Sequence, residues 1–244
     1  MLGVLHVALA MAGAAPPPPP GTLLLTEFGG KSGDGFNNQK AFKAAFAACD
    51  ARSGCTLELP PSAPGVPTLY RTSAINLTSN LDLVIPPNVT LRATENDADN
   101  SGENWPTLQH SSAPGPCAGT PGNCGCAPAK QSWIHAYNQT NLTISGGGTI
   151  HGGGRYWWCV RSNLAHGHRK WQPAMETHGC ATTKALPNVT VNGVTRTSTC
   201  PPRMLHIVQS ENIKLSNINV RWAGYWTLHF QFSNNIEVKR IHLW

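Results

Sequence analysis

The chain has 244 residues, of which 24 are Gly and 20 are Pro, and only 12% are charged. Such a turn-rich composition fits an all-β protein and excludes a helical bundle or a coiled coil. The net charge of +6 is scattered, with Arg155, Arg161, Arg169 and Lys170 as its densest group. The stripe of Lys and Arg with interleaved aromatics that nucleic acid requires is therefore missing.

Residues 1–20 read MLGVLHVALAMAGAAPPPPP. A short apolar run from Leu2 to Met11 is followed by the small residues Ala12, Gly13 and Ala14. This is the pattern of a signal peptide, here without a positively charged start, and the prolines after it form an extended spacer. The apolar run is too short to cross a bilayer, and no other segment is a candidate to do so. A single domain is expected over residues 21–244. The eight cysteines (Cys49, Cys55, Cys117, Cys124, Cys126, Cys159, Cys180 and Cys200) point to disulfides in an oxidising compartment, and so to a secreted protein. Asn-x-Ser/Thr sites at Asn76, Asn88, Asn138, Asn141 and Asn188 are compatible with secretion. Cys117, Cys124 and Cys126 lack the CxxC spacing of a zinc site.

The first element expected is a strand over Leu23–Phe28, followed by a turn at Gly33-Asp34-Gly35. That turn lacks the spacing of a phosphate loop, and Asp34 reads as a turn residue rather than a catalytic acid. A helix is predicted from about Asn38 to Asp50, because Phe42, Ala45, Phe46 and Cys49 fall on one apolar face. Laid over the open end of a sheet, such a helix would cap it. Strands follow at 54–60 and, around the Pro86-Pro87 corner, at 79–91. Residues 96–131 read as a loop-like insertion. The chain returns to strand at Trp133 to Ile150, with glycine corners at 146–148 and 152–154. Residues 159–202 read as a long irregular insertion. Its His166 and His168 have no carboxylates nearby and are not read as metal ligands.

The last forty residues carry a repeat. LHIVQSENIKLSNINV from Leu205 and LHFQFSNNIEVKRIHL from Leu228 share Leu, His, Ser, Asn, Ile and Ile at an offset of 23 residues (228 − 205). Self-similarity at this period means a stacked solenoid. Within each copy the apolar residues alternate, Ile213 with Leu215 and Ile236 with Val238, which is a strand period. A third copy, IHAYNQTNLTIS from Ile134, aligns at an offset of 71 (205 − 134), or about three periods. Asn precedes each alternation, at Asn88, Asn141, Asn212 and Asn235. Asn tolerates a left-handed corner, and stacked corners would let the amides form a ladder. The fold expected is therefore all-β, a right-handed parallel β-helix with a short N-terminal capping helix.

Several segments together resemble glycoside hydrolase family 28, the polygalacturonase-like enzymes. They are SGDGFNNQKAFKAAFAAC, GCTLELPP, SNLDLVIPPNVTL, NLTISGGGTIHGGGRYWW, PPRMLHIVQSENIKLSNINV and GYWTLHFQFSNNIEV, and they come in the family's order. His151 stands where the family's GxGTIDGxG segment has Asp. The resemblance covers Leu23 to Trp244 apart from the two insertions. It implies inverting hydrolysis of α-1,4-galacturonosyl bonds in pectin, with one carboxylic acid and one carboxylate at work. It also implies a polysaccharide partner; no cofactor and no metal are expected, and the chain is expected to be a monomer. In the family the catalytic carboxylates follow the W-T-L-H segment, which is Trp226–His229 here. Only fifteen residues follow it in this sequence (244 − 229), and they hold no Asn-Thr-Asp, Asp-Asp or Arg-x-Lys. No catalytic residue is assigned, and the chain is expected to be the inactive N-terminal portion of such an enzyme. His229, with Gln231 and Trp226, is expected to border the substrate cleft. A stacked His pair with a purely structural role is the competing view. Two rival functions remain open: a non-catalytic pectin-binding β-helix, and a related β-helix enzyme such as a rhamnogalacturonase or a lyase.

Overall fold

The computed structural model describes residues 21–96, 99, 104–106, 131–157, 188–191, 194–197 and 202–244. The expected signal peptide, Cys117, Cys124, Cys126, Cys159, Cys180, Cys200, His166 and His168 lie outside the described residues.

The chain winds in successive coils. The first holds β1 (Thr22–Leu24), a 3-10 turn (Leu25–Phe28) and helix α1 (Gln39–Ala51). The second holds β2 (Cys55–Glu58), β3 (Thr68–Thr72) and β4 (Ile75–Asn76). The third holds β5 (Leu81–Val84), β6 (Val89–Ala93) and β7 (Ile134–Tyr137). The fourth holds β8 (Thr140–Ser145) and β9 (Thr149–His151), then a hairpin of β10 (Asn188–Val191) and β11 (Val194–Thr197), then β12 (Leu205–Val208). The last described coil holds β13 (Glu211–Arg221), β14 (Leu228–Gln231) and β15 (Asn234–Leu243).

Equivalent strands of successive coils pair in parallel and build three faces. Face 1 is β4-β7-β12-β14. Face 2 is β1-β2-β5-β8 continued by the first half of β13 and by β15. Face 3 is β3-β6-β9 continued by the second half of β13. The architecture is the expected parallel β-helix.

Sequence alternation becomes stacking across coils. The inward residues of face 2 form a column in register: Leu23, Leu57, Leu83, Ile144, Leu215 and Val238. Each buried member stabilises by about 1.5–3 kcal/mol. At the last strand the column is uncovered, since Leu215 is 2% exposed and Val238 44%. At the other end α1 buries Phe42, Ala45, Phe46 and Cys49 into the same core, and the Cys49–Cys55 disulfide ties it to β2.

The corners obey the Asn rule with one correction. Asn80, Asn141, Asn212 and Asn235 have φ of 56°, 56°, 58° and 50°. Their amides hydrogen-bond in sequence, Asn141 to Asn80 at 2.7 Å, Asn212 to Asn141 at 2.9 Å and Asn235 to Asn212 at 2.6 Å. Asn88 is also left-handed, φ 64°, but it turns the corner before β6. Asn80 holds the ladder position instead.

Three further expectations are corrected. The 71-residue offset between Ile134 and Leu205 is one coil rather than three, because β7 pairs directly with β12. The strand expected over Leu23–Phe28 stops at Leu24; the Glu27 carboxylate accepts the Leu24 N–H at 3.3 Å, and the backbone turns to the left-handed Gly29. The insertion at 159–202, expected to be irregular, contains the antiparallel pair β10–β11.

Candidate functional site

Face 1 turns its polar residues away from the core; His135 and His206 are nonetheless buried, while His229 and Gln231 are half-buried. On β12, Leu205 and Ile207 enter the core, so His206 and Val208 point the other way. Register then places Asn76, His135, His206 and His229 in one outward column, and Tyr137, Val208 and Gln231 in the next. The His206 and His229 rings stack at 4.5 Å with 4° between planes, as one 23-residue step requires. His135 continues the column at 5.6 Å from His206.

The residues predicted to border a cleft come together. Trp226 meets His229 edge-on at 4.7 Å, and Gln231 Oε1 lies 3.2 Å from His206 Nε2. Two neighbours were not foreseen. The Arg203 guanidinium sits over the Trp226 ring at 5.1 Å, and Tyr225 stacks on Trp226 at 5.6 Å with 13° between planes. The repeat did carry a signal for Arg203, since its offset to Trp226 is the same 23 residues (226 − 203). The product is an exposed aromatic surface, 48% open at Trp226, with a cation on one side and imidazoles on the other.

The imidazoles are held neutral. Burial, then Arg203 and His229, push His206 down to about 3. Burial and Arg203 also lower His229. Geometry agrees: Nδ1 of both rings is buried with no hydrogen-bond partner among the described residues, so a second ring proton would have nowhere to go. In the Nε2-protonated tautomer His206 donates to Gln231 and Nδ1 stays bare.

A stability effect follows, with this sign. Unfolding returns His206 to an ordinary value near 6.5. Below that pH the unfolded chain takes up a proton that the folded chain refuses. The stability is complete above about pH 6.5 and is lost as the pH falls toward about 3. At about pH 5 the loss from His206 is on the order of 2 kcal/mol. Urea midpoints at about pH 7.5 and 5 should differ accordingly, and His206→Gln should remove the His206 share of the difference and leave that of His229. An unchanged slope in that variant would contradict a buried neutral ring.

Arg203 is itself lowered by burial but remains a cation, and its Nε has no partner among the described residues. Among the described residues no group of three or more His, Cys, Asp or Glu could hold a metal ion. The strands of face 1 contain no Asp or Glu at all. The surface beside face 1 thus offers an exposed indole plane at Trp226 with the Arg203 cation over it.

No family model matches the chain, and no curated protein does. Solved structures do. An exopolygalacturonase from Thermotoga maritima superimposes with a TM-score of 0.63 at 15% identity, over 94% of this chain and 48% of its own. A Family 28 exopolygalacturonase from Yersinia enterocolitica gives 0.57 at 15% identity, over 91% of this chain and 38% of its own. A Parabacteroides merdae protein ascribed to the glycosyl hydrolases gives 0.58 at 18% identity, over 91% of this chain and 74% of its own. The chain thus spans about half or less of the two exopolygalacturonases. At these identities the likeness establishes the right-handed parallel β-helix and nothing finer.

Proposed function

We propose that face 1 binds an acidic polysaccharide and that the chain carries part of the substrate cleft of a polygalacturonase-like hydrolase. The observation that supports this most is the grouping of Arg203, Trp226, His229 and Gln231 on one outward surface. An aromatic plane accepts the apolar face of a sugar ring, and a few placed polar groups fix its orientation. The Arg203 guanidinium pairs with a sugar carboxylate through parallel N–H donors. A neutral His229 hydrogen-bonds a hydroxyl without repelling the cation beside it. Gln231, tied to His206, holds the imidazole column in place. The net charge of +6 draws an anionic polymer toward the surface. The Cys49–Cys55 disulfide fits a protein exported to an oxidising compartment.

The reaction in this reading is inverting hydrolysis of α-1,4-galacturonosyl bonds. One carboxylic acid protonates the leaving oxygen, and a carboxylate roughly 6.5–9.5 Å away activates water on the opposite face. Because the face 1 strands lack Asp and Glu, the reading takes both groups from chain stacked over β14. There the resemblance places the family's Asn-Thr-Asp segment.

Electrophoresis of the 244-residue chain through gels containing polygalacturonate or neutral dextran tests the proposal, together with a reducing-end assay. Retardation in polygalacturonate alone, weakened by salt and without new reducing ends, is the expected result. Equal mobility in both gels would overturn the binding proposal. Turnover at ordinary rates would overturn the placement of the acid and base. Binding with no hydrolysis even in a longer chain would favour the non-catalytic reading.

A further inference from the structure

Face 3 carries a second outward column. Strand register places Arg71 beside Arg92, Arg92 beside His151, and His151 beside Arg221. At about 4.8 Å per strand these side chains span roughly 14 Å along the solenoid axis. Like charges set opposite one another on neighbouring strands repel, so Arg71 and Arg92, opposed across β3 and β6, need anions. They have them: Asp99 pairs with Arg71 at 3.4 Å, and Glu95 and Asp34 pair with Arg92 at 2.9 and 3.8 Å. Burial and Arg92 hold His151 toward its neutral form. No carboxylate among the described residues forms an ion pair with Arg221, whose side chain is exposed. Arg92 Nε is buried with no hydrogen-bond partner among the described residues.

An aromatic plane lies at the Arg221 end of the column. Trp222 follows Arg221 with φ of 55°, a conformation that costs a bulky side chain energy. Its ring lies parallel to His151, 7° between planes and 6.0 Å apart, and is 36% exposed. A partly exposed indole next in the chain to a guanidinium that has no ion pair among the described residues matches the needs of an acidic sugar: a fork for the carboxylate and a surface for the ring. None of these residues belongs to face 1.

We propose that His151, Arg221 and Trp222 form a second binding site for a uronic-acid-bearing polysaccharide, lying along the axis of face 3. The substrate class rests on the function proposed above; the site itself does not. The site lengthens the contact between a polymer and the solenoid beyond the cleft.

The test compares Arg221→Glu, Trp222→Gly and Trp226→Ala in calorimetric titration with polygalacturonate. Glycine at position 222 removes the ring and relieves the positive φ, so the fold should persist, which a thermal melt will check. Arg221→Glu and Trp222→Gly are each expected to weaken binding about tenfold, on top of the effect of Trp226→Ala. If Trp226→Ala weakens binding and neither face 3 variant does, the second site is wrong and the cleft stands. If the face 3 variants weaken binding and Trp226→Ala does not, the cleft proposal is wrong and the second site stands. If Arg221→Glu alone acts, and duplex DNA binds as well as polygalacturonate, the column is plain electrostatic attraction and the site is wrong. If the wild-type chain fails to bind polygalacturonate, both proposals fall.

Discussion

Replacing Trp226 with alanine should reduce binding of oligogalacturonates about thirtyfold, a loss of about 2 kcal/mol typical of a central Trp contact. Trp226 meets three partners at once: Arg203 over its face at 5.1 Å, Tyr225 stacked at 5.6 Å and His229 at its edge at 4.7 Å. Removing the indole removes the stacking surface and also frees the guanidinium that it orients. The ring is 48% exposed, so stability should change little. Trp226→Phe keeps a smaller plane and should recover part of the affinity. Titration calorimetry on the three proteins reads the order directly. If alanine binds as tightly as tryptophan while the fold is intact, the ring takes no part in recognition.

The second large effect is on folding. Gly146 turns the corner after β8 with φ of 118°. A Cβ there would lie 2.4 Å from Ile85 O and 2.7 Å from Ile85 C. Both atoms are backbone of the preceding coil and cannot swing aside. Gly146→Ala therefore meets a forbidden conformation and a backbone clash together, and should cost about 4 kcal/mol. That is a large part of the stability of an ordinary domain. Gly35→Ala is the control, because nothing among the described residues lies within 4 Å of its Cβ position. Urea unfolding should give a strongly lowered midpoint for Gly146→Ala and a near wild-type one for Gly35→Ala. Equal midpoints would mean that coils separate more easily than the close approach implies.

The sequence was most legible where its period was unbroken. One step of 23 residues put Leu205 beside Leu228 and His206 beside His229, and the strands pair in that register. The apolar alternation and the left-handed Asn residues were legible too, because each reflects a local steric rule. Legibility failed where chain was inserted. The step from Ile134 to Leu205 looks like three periods but is one coil, since strand pairing counts coils and not residues. The basic column of face 3 was hidden for the same reason: Arg71, Arg92, His151 and Arg221 are separated by unequal intervals of sequence. Arg203 is a different case, because the unbroken period already placed it beside Trp226. Nothing in its own neighbourhood marked it, and a cation next to an aromatic becomes visible only when two coils are read together.

The most direct test of the account is to follow the histidine ring signals by NMR during titration with trigalacturonate. If the ligand lies on face 1, His229 shifts first, its stacked neighbour His206 follows, and His242 on β15 stays unmoved. Saturable binding that leaves His229 and His206 undisturbed would contradict the account.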